Sequence, residues 1–148
     1  NPDIEVQTAW TNSFVDTQLA QEAAKAMIEN GVDVIKHCAN ACGNGAIAAA
    51  VDADIWCQGD SYDQSSLAPE NILDSAIYNL DVVIDKAIES VVDDNFEGDV
   101  YNLGMADGAE EVLLSDNLTD EVKATAQDAI DKIVSGELEV ERDYTLRD

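Results

Sequence analysis

Stretches with helical and strand periodicity alternate in the first half of the chain. Residues 4–10, IEVQTAW, carry the β-branched and aromatic side chains typical of a strand. In residues 16–31 apolar positions recur at helical spacing, which predicts a helix capped by Asp16 or Thr17 and ended by Gly31. The same criteria predict strands at 32–38 and 54–58 and a short Ala-rich helix at 45–51.

The second half opens with a polar loop at 59–70, and residues 71–79 are predicted to be a strand or an extended segment. A helix follows whose apolar residues recur at helical spacing: Leu80, Ile84, Ala87, Ile88 and Val91. A last helix at 119–135 is expected to end at Gly136 and to bury its apolar stripe, Val122, Ala126, Ile130 and Ile133. Short strands are predicted at 99–104, 109–114 and 137–141.

This alternation of strands and helices with short connections is typical of parallel β-α-β units. The predicted fold class is therefore α/β, a parallel sheet flanked by helices. In such sheets, ligands bind at the carboxyl ends of the strands. Three loops follow predicted strands, 11–16, 39–45 and 59–66, and we expect them to meet at one edge of the sheet.

The charge of the chain argues against one class of partner. The 148 residues include 32 Asp and Glu against 7 Lys and Arg, for a formal net charge of -25 at pH 7. Such a surface repels phosphates, so we do not expect nucleic acid binding. The acidic excess is typical of a solubilising surface, for example in a salt-rich setting, and does not identify a ligand.

Targeting signals are not evident in these residues. No apolar run approaches the roughly 20 residues that a membrane-spanning helix needs. The sequence opens with NPDIEV, with neither an initiator Met nor a signal-peptide pattern. We therefore expect it to follow any targeting segment and to be a fragment of a longer protein.

The segment IKHCANACGNG, residues 35–45, raises the question of a metal site. His37, Cys38 and Cys42, with Cys57, are residue types that bind zinc. However, neighbouring side chains in a strand point to opposite faces, so His37 and Cys38 are not expected to share an ion, and we predict no metal or other cofactor. An enzyme built on the cysteines is one alternative, although no residue that would orient a Cys–His nucleophile is identifiable.

The same segment lacks the pattern of a phosphate-binding loop, since its nearby cation, Lys36, lies in a predicted strand. Gly43 and Gly45 instead allow the backbone to approach a ligand or to turn tightly into a helix. Asn40 and Asn44 offer hydrogen-bond donors and acceptors.

The third loop supplies several polar side chains: Asp60, Ser61, Asp63 and Gln64. A carboxylate that accepts two hydrogen bonds suits the vicinal diol of a sugar. Trp10, Phe14 and Tyr62 offer a flat apolar surface for a ring. The alternative is that these are ordinary strand-end polar residues and core aromatics.

These segments together resemble a known family. Residues 1–50, the stretch GDSYDQSSLAPENILDSAIYN, the stretch FEGDVYNLGMADGAEEVLLSD and the closing SGELEV resemble the second half of the basic membrane protein family. That family comprises substrate-binding lipoproteins and includes purine-nucleoside receptors of ABC importers. The resemblance implies that residues 1–148 form the C-terminal lobe of a two-lobed protein with the fold of type I periplasmic binding proteins, whose N-terminal lobe is absent from this chain.

The resemblance also implies a set of ligand-binding residues. The family's Ser-Phe-x-Asp pattern falls on Ser13, Phe14 and Asp16, its Gly-rich cleft loop on 40–45, and its acidic loop on 59–64. Together with the residue chemistry above, the predicted ligand-binding residues are Trp10, Phe14, Asn40, Cys42, Gly43, Asp60, Ser61, Asp63 and Tyr78. Two positions depart from the family pattern, since Ser61 replaces the first acidic residue, with Asp60 beside it, and Tyr78 replaces a common Lys.

The function implied by the resemblance is non-enzymatic. It is binding of a nucleoside or similar small polar ligand between two lobes, for an ABC permease, at the outer surface of the cell membrane or in the periplasm. Membrane association would come only through a lipid anchor upstream. The alternative is a cytoplasmic ligand-sensing regulatory domain of the same fold.

Overall fold

The computed structural model describes residues 3–98 and 100–141. The helices are α1 (Thr17–Glu29), α2 (Gly43–Asp52), α3 (Leu80–Val92) and α4 (Asp120–Ser135). The strands are β1 (Val34–Lys36), β2 (Trp56–Gly59), β3 (Ile72–Tyr78) and β4 (Glu110–Leu114). Short 3-10 turns lie at Asn40–Cys42, Ser65–Leu67 and Met105–Asp107.

The strands form one four-stranded sheet in the order β1-β2-β3-β4. The first three strands are parallel, with Ile35 opposite Cys57 and Cys57 opposite Ile72. At β4 the direction reverses, because Ser115 N–H donates to the Leu73 carbonyl while Asn79 N–H donates to the Ala109 carbonyl. The predicted α/β class with flanking helices is therefore confirmed, with an antiparallel strand added at one edge.

The chain divides into two compact units. The first unit comprises Asn1–Ile77 and Val112–Leu118, and the second comprises Tyr78–Glu111 and Thr119–Asp148. That the whole of residues 1–148 belongs to one lobe of a two-lobed protein stays a prediction.

The hydrophobic core lies in the first unit and consists largely of small side chains. Its buried members are Ala20, Ala24, Ile35, Cys42, Ala46, Ile47, Ala49, Ala50, Cys57, Ala68 and Ile72. Helices α1 and α2 pack against each other through their alanines. Gly45 completes this contact, because a Cβ there would collide with the Thr17 carbonyl oxygen at the start of α1.

Capping residues set the helix ends as the sequence predicts. Asp16 accepts the N–H groups of Gln18 and Leu19 and so caps α1. Thr119 accepts the Val122 N–H at the start of α4, and Gly136 ends that helix with a φ of +76°. Helix α2 extends from Gly43 to Asp52, slightly beyond the predicted 45–51 at both ends.

Three predicted strands are wrong in the described residues. Residues 4–10, 100–104 and 137–141 have no strand pairing there, and residue 99 of the predicted 99–104 lies outside the described residues. Alternating or β-branched sequence becomes a strand only beside a hydrogen-bonding neighbour. Trp10, at the end of the first of these segments, is 85% exposed.

The predicted burial of the α4 stripe is also wrong. No residue of α4 is fully buried, and Val122 is 48% exposed. Helical spacing identifies the apolar face of a helix, but burial requires a surface for that face to pack against.

Candidate functional site

Loop 39–45 contacts both loop 11–16 and loop 59–66 in the first unit, and we call the three loops together the rim. The Cys42 N–H donates to the Phe14 carbonyl at 3.0 Å, which joins the first loop to the second. The Cys42 thiol donates to the Asp16 carbonyl at 2.9 Å. The Gln64 side chain donates to Asn44 Oδ1 at 3.1 Å, which joins the third loop to the second.

The side chain of Gln64 lies at the centre of the rim and is only 1% exposed. Its Oε1 accepts the Asp60 backbone N–H at 2.8 Å and lies 2.9 Å from His37 Nε2. The Gln64 backbone N–H donates to Ser75 Oγ at 3.2 Å. One amide side chain therefore connects the ends of β1 and β2 to the start of α2.

Asp60 is buried and held by its neighbours. Its Oδ1 lies 3.6 Å from Lys36 Nζ, and its Oδ2 accepts the Ser61 hydroxyl at 2.9 Å. Lys36 also donates to the Gly59 carbonyl at 2.7 Å. Since charged groups are seldom buried without partners, these contacts explain how a carboxylate is kept at 5% exposure.

Asp63 differs from Asp60 because it is exposed to solvent. Its Oδ1 accepts the Ser65 N–H at 2.9 Å. Hydrogen bonds from the Ser65 side chain and backbone hold the pKa of the Asp63 carboxyl below its usual value. The carboxylate is thus ionised and open to solvent at neutral pH.

Each rim loop contains a residue other than glycine in the left-handed region of φ. These residues are Asn12 at +52°, Asn40 at +52° and Ser61 at +71°. Asn tolerates this conformation, whereas Ser is less often found there. Such backbone conformations cluster at ligand-binding sites, where the surrounding structure holds them in place.

Four other predicted site residues differ in their exposure and in their position relative to the rim, namely Trp10, Phe14, Gly43 and Tyr78. Trp10 and Phe14 are 85% and 72% exposed, so neither is a core aromatic. Gly43 is buried, and a Cβ there would collide with the His37 ring. Tyr78 ends β3 and belongs to the second unit, so the rim as described does not include it.

The cysteines do not form a metal site in the structure. Cys38 is exposed, whereas His37, Cys42 and Cys57 are buried, and all three thiols are free. Across residues 3–98 and 100–141, no group of three or more potential ligand side chains could hold a metal ion. Burial, and secondarily the nearby Asp74 carboxylate, raise the pKa of the Cys57 thiol to about 11, so this thiol is protonated and unreactive at neutral pH.

The predicted ligand-binding residues do not include Lys36, His37 or Gln64. The sequence places Lys36 in a strand and suggests His37 only as a metal ligand or as the partner of a cysteine nucleophile. The sequence did contain a signal that could have identified Gln64. The Asp63-Gln64 pair is the part of the acidic loop that matches the pattern of the basic membrane protein family.

A cavity of about 420 Å³ lies beside the third loop, within the first unit. Polar groups on its wall include Asp63, Ser65, Ser75 and Asn117. Its volume is in the range of small-molecule pockets.

In the part of the chain that the structure describes, no helix combines the length and apolar character needed to cross a bilayer.

Comparison with known proteins identifies the family. Residues 1–143 match the family of PnrA-like ABC transporter substrate-binding proteins, Bmp, and the chain belongs to it. The family consists of substrate-binding proteins and not of enzymes, which confirms the prediction of a non-catalytic chain.

Three relatives illustrate the range of the family. A purine-binding protein of Brucella abortus is 32% identical over 139 residues, covering 93% of this chain and 39% of that protein. A Haloferax volcanii protein named as an ABC transporter glucose-binding protein is 30% identical over 143 residues, covering 95% and 36%. Basic membrane protein B of Borreliella afzelii is 34% identical over 113 residues, covering 73% and 33%. The chain thus spans well under half the length of each relative.

Solved structures share the fold. An ABC transporter solute-binding protein from Aeropyrum pernix K1 superposes with a TM-score of 0.79 at 21% identity, covering 97% of this chain and 49% of that one. A transcriptional activator of the comK gene from Bacillus halodurans gives a TM-score of 0.76 at 20% identity, covering 86% and 45%. Transport and regulatory proteins therefore use this fold, and the fold alone does not choose between them.

Proposed function

We propose that this chain is the C-terminal, ligand-binding lobe of the substrate-binding component of an ABC importer, and that the ligand is a nucleoside. The observation that carries the proposal is the rim, where an exposed carboxylate and an exposed aromatic ring lie on two loops that both contact loop 39–45. Membership of a substrate-binding family supports it. The permease partner and the extracytoplasmic location are part of the same proposal, with the protein either held at the membrane surface by a lipid anchor upstream of these residues or free in the periplasm.

Asp63 is the better candidate for the sugar contact. Its carboxylate is exposed and ionised, so it can accept hydrogen bonds from two adjacent ribose hydroxyls. Asp60 is already held by Lys36 and Ser61, and its role is to shape the loop. Ser61, next to it, offers a hydroxyl on a backbone of restricted conformation.

Phe14 is the candidate surface for the base. Its carbonyl is fixed by the Cys42 N–H, so the exposed ring is carried on an anchored backbone. Offset stacking of a flat ring on an aromatic side chain contributes about 0.5–1.5 kcal/mol beyond the area it buries. Trp10 lies four residues earlier and would extend that surface. In the proposal, the absent N-terminal lobe supplies the opposite wall of the cleft.

Two relatives are named for different ligands, a purine and glucose, and both kinds of ligand are rich in polar groups. Calorimetry with guanosine, adenosine, ribose and glucose separates them. We expect the nucleosides to bind more tightly than ribose or glucose, because only they can use both the carboxylate and the aromatic ring. Tight binding of glucose with no nucleoside binding would contradict the nucleoside assignment.

A single substitution tests the sugar contact. Asp63→Asn should weaken guanosine binding about tenfold or more, because a charge-assisted hydrogen bond is worth about 1.5–3 kcal/mol. Asp33→Asn, at an exposed acidic residue before β1, is a control for the overall change in charge. Equal affinities of the two variants and the unchanged chain would show that Asp63 does not contact the ligand.

The regulatory alternative rests on fold likeness to a transcriptional activator at 20% identity. The family match favours the transport role instead. The coding sequence upstream distinguishes the two, since a lipoprotein signal indicates the importer component and a DNA-binding segment indicates the regulator.

A further inference from the structure

The hydrogen bonds around Gln64 determine the tautomer of His37. A backbone N–H can only donate, so the Gln64 atom 2.8 Å from the Asp60 nitrogen must be the amide oxygen. His37 Nε2 lies 2.9 Å from that same oxygen and must therefore carry a proton. The neutral ring is then the Nε2–H tautomer, with a bare lone pair on Nδ1.

The surroundings of Nδ1 agree with this assignment. Nδ1 is buried and has no hydrogen-bond partner among the described residues. A Cβ on Gly43 would collide with this atom, so the ring lies directly against the backbone of Gly43. A proton on Nδ1 would be a buried donor without an acceptor among the described residues, which is unfavourable.

We propose that Gln64 is the positioning residue of the rim: its amide fixes His37 as the Nε2–H tautomer and holds the Asp60 loop and the start of α2 in one arrangement. Each of its contacts belongs to a different segment, namely His37 after β1, Asp60 after β2, and Asn44 in α2. Movement of any one segment breaks a buried hydrogen bond of the shared side chain. The three segments consequently move together or not at all.

The expected effect of Gln64 on ligand affinity rests on the proposed function. The assignment of the His37 tautomer does not depend on that function. His37 is the single histidine of the chain, so its ring nitrogens can be observed by ¹⁵N NMR without ambiguity. We expect one protonated nitrogen, Nε2, and one unprotonated nitrogen, Nδ1, in the unchanged chain at neutral pH. A proton on Nδ1 with none on Nε2, or rapid averaging between the two, would overturn the proposal.

Two substitutions sharpen the test. Gln64→Met removes every side-chain hydrogen bond at similar volume, and the His37 signals should then average between tautomers. Gln64→Glu keeps an acceptor for both His37 and Asp60, and should retain the proton on Nε2. Gln18→Met, at an exposed position on α1, is the matched control and should leave the spectrum unchanged. An Nε2–H signal that persists unchanged in Gln64→Met would contradict the proposal. If Gln64→Met fails to fold, the ¹⁵N spectra of the unchanged chain and of Gln64→Glu still show which nitrogen of His37 carries the proton.

Calorimetry with guanosine on the same variants tests the positioning role. We expect Gln64→Met to bind at least about tenfold more weakly than the unchanged chain, Gln64→Glu to lie between them, and Gln18→Met to match the unchanged chain. Equal guanosine affinity in all four would overturn the positioning role. Absence of guanosine binding in the unchanged protein with both lobes present, combined with the Nε2–H tautomer, would reject the nucleoside proposal and leave the assignment of His37 and Gln64 intact.

Discussion

The two units of the chain bury their apolar side chains very differently. The first unit contains the whole hydrophobic core, built from α1, α2 and the parallel strands. In the described part of the second unit, the buried residues are Ser90 and Ala109. Helix α3 nevertheless has an apolar face at regular spacing, and Ile84 and Ile88 on it are 57% and 55% exposed. Periodicity thus reports which face of a helix is apolar, whereas stability depends on what that face contacts.

The largest expected effect compares the same substitution in both units. Ile72→Ala in β3 removes a side chain that is 1% exposed and should lower the free energy of unfolding by about 2–5 kcal/mol. Ile88→Ala in α3, the matched control, should change it by less than about 0.5 kcal/mol. Chemical denaturation followed by circular dichroism measures both. Similar losses for the two variants would mean that the second unit is as well packed as the first.

The pH dependence of stability gives a second test of the first unit's core. The folded chain raises the pKa of the Cys57 thiol from its usual 9.0 to about 11, because burial disfavours the thiolate. The resulting stability is fully present below about pH 9 and is lost as the pH rises towards 11, up to about 3 kcal/mol. Cys57→Ala should remove this loss between pH 9 and 11, and Cys38→Ala, which alters an exposed thiol, should retain it. Parallel pH profiles for the two variants would argue against a buried thiol at Cys57.

The smallest expected effect compares helix caps. Asp16→Ala removes the two N-cap hydrogen bonds of α1 and Thr119→Ala removes that of α4, and each loss of a cap is worth about 1 kcal/mol. Amide exchange should become about fivefold faster in α2 when Asp16 is replaced, because α1 packs on α2. Replacement of Thr119 should speed exchange in α4 and leave α2 unchanged. Faster exchange in α2 after Thr119→Ala would show that the two units open together.

Helix positions were predictable because their signals are local. Asp16, Gly31 and Gly136 mark helix ends through their own backbone and side-chain chemistry, which does not depend on the rest of the fold. The prediction of a strand at residues 4–10 was wrong for the opposite reason. A strand forms only beside a hydrogen-bonded neighbouring strand, and the local sequence does not reveal that neighbour. The antiparallel direction of β4 was missed for the same reason.

The site was predictable at the level of loops but not of individual contacts. The β-α-β alternation placed loops 11–16, 39–45 and 59–66 together, and the structure brings them into contact. The burial of Asp60 depends on Lys36, which is 24 positions earlier, and the role of Gln64 depends on His37, 27 positions earlier. Pairings over such separations follow from strand register and are not visible in the spacing of either residue.

The distribution of the three thiols has a practical consequence. Cys42 and Cys57 are buried, and Cys38, which lies immediately before the second rim loop, is exposed. A maleimide dye added to the native chain should therefore attach at Cys38 without any mutagenesis, since accessible thiols react first. A dye at that position sits next to His37 and within two residues of Asn40, so its fluorescence reports changes at the rim. Residues 1–148 thus already carry one accessible attachment point for an optical sensor.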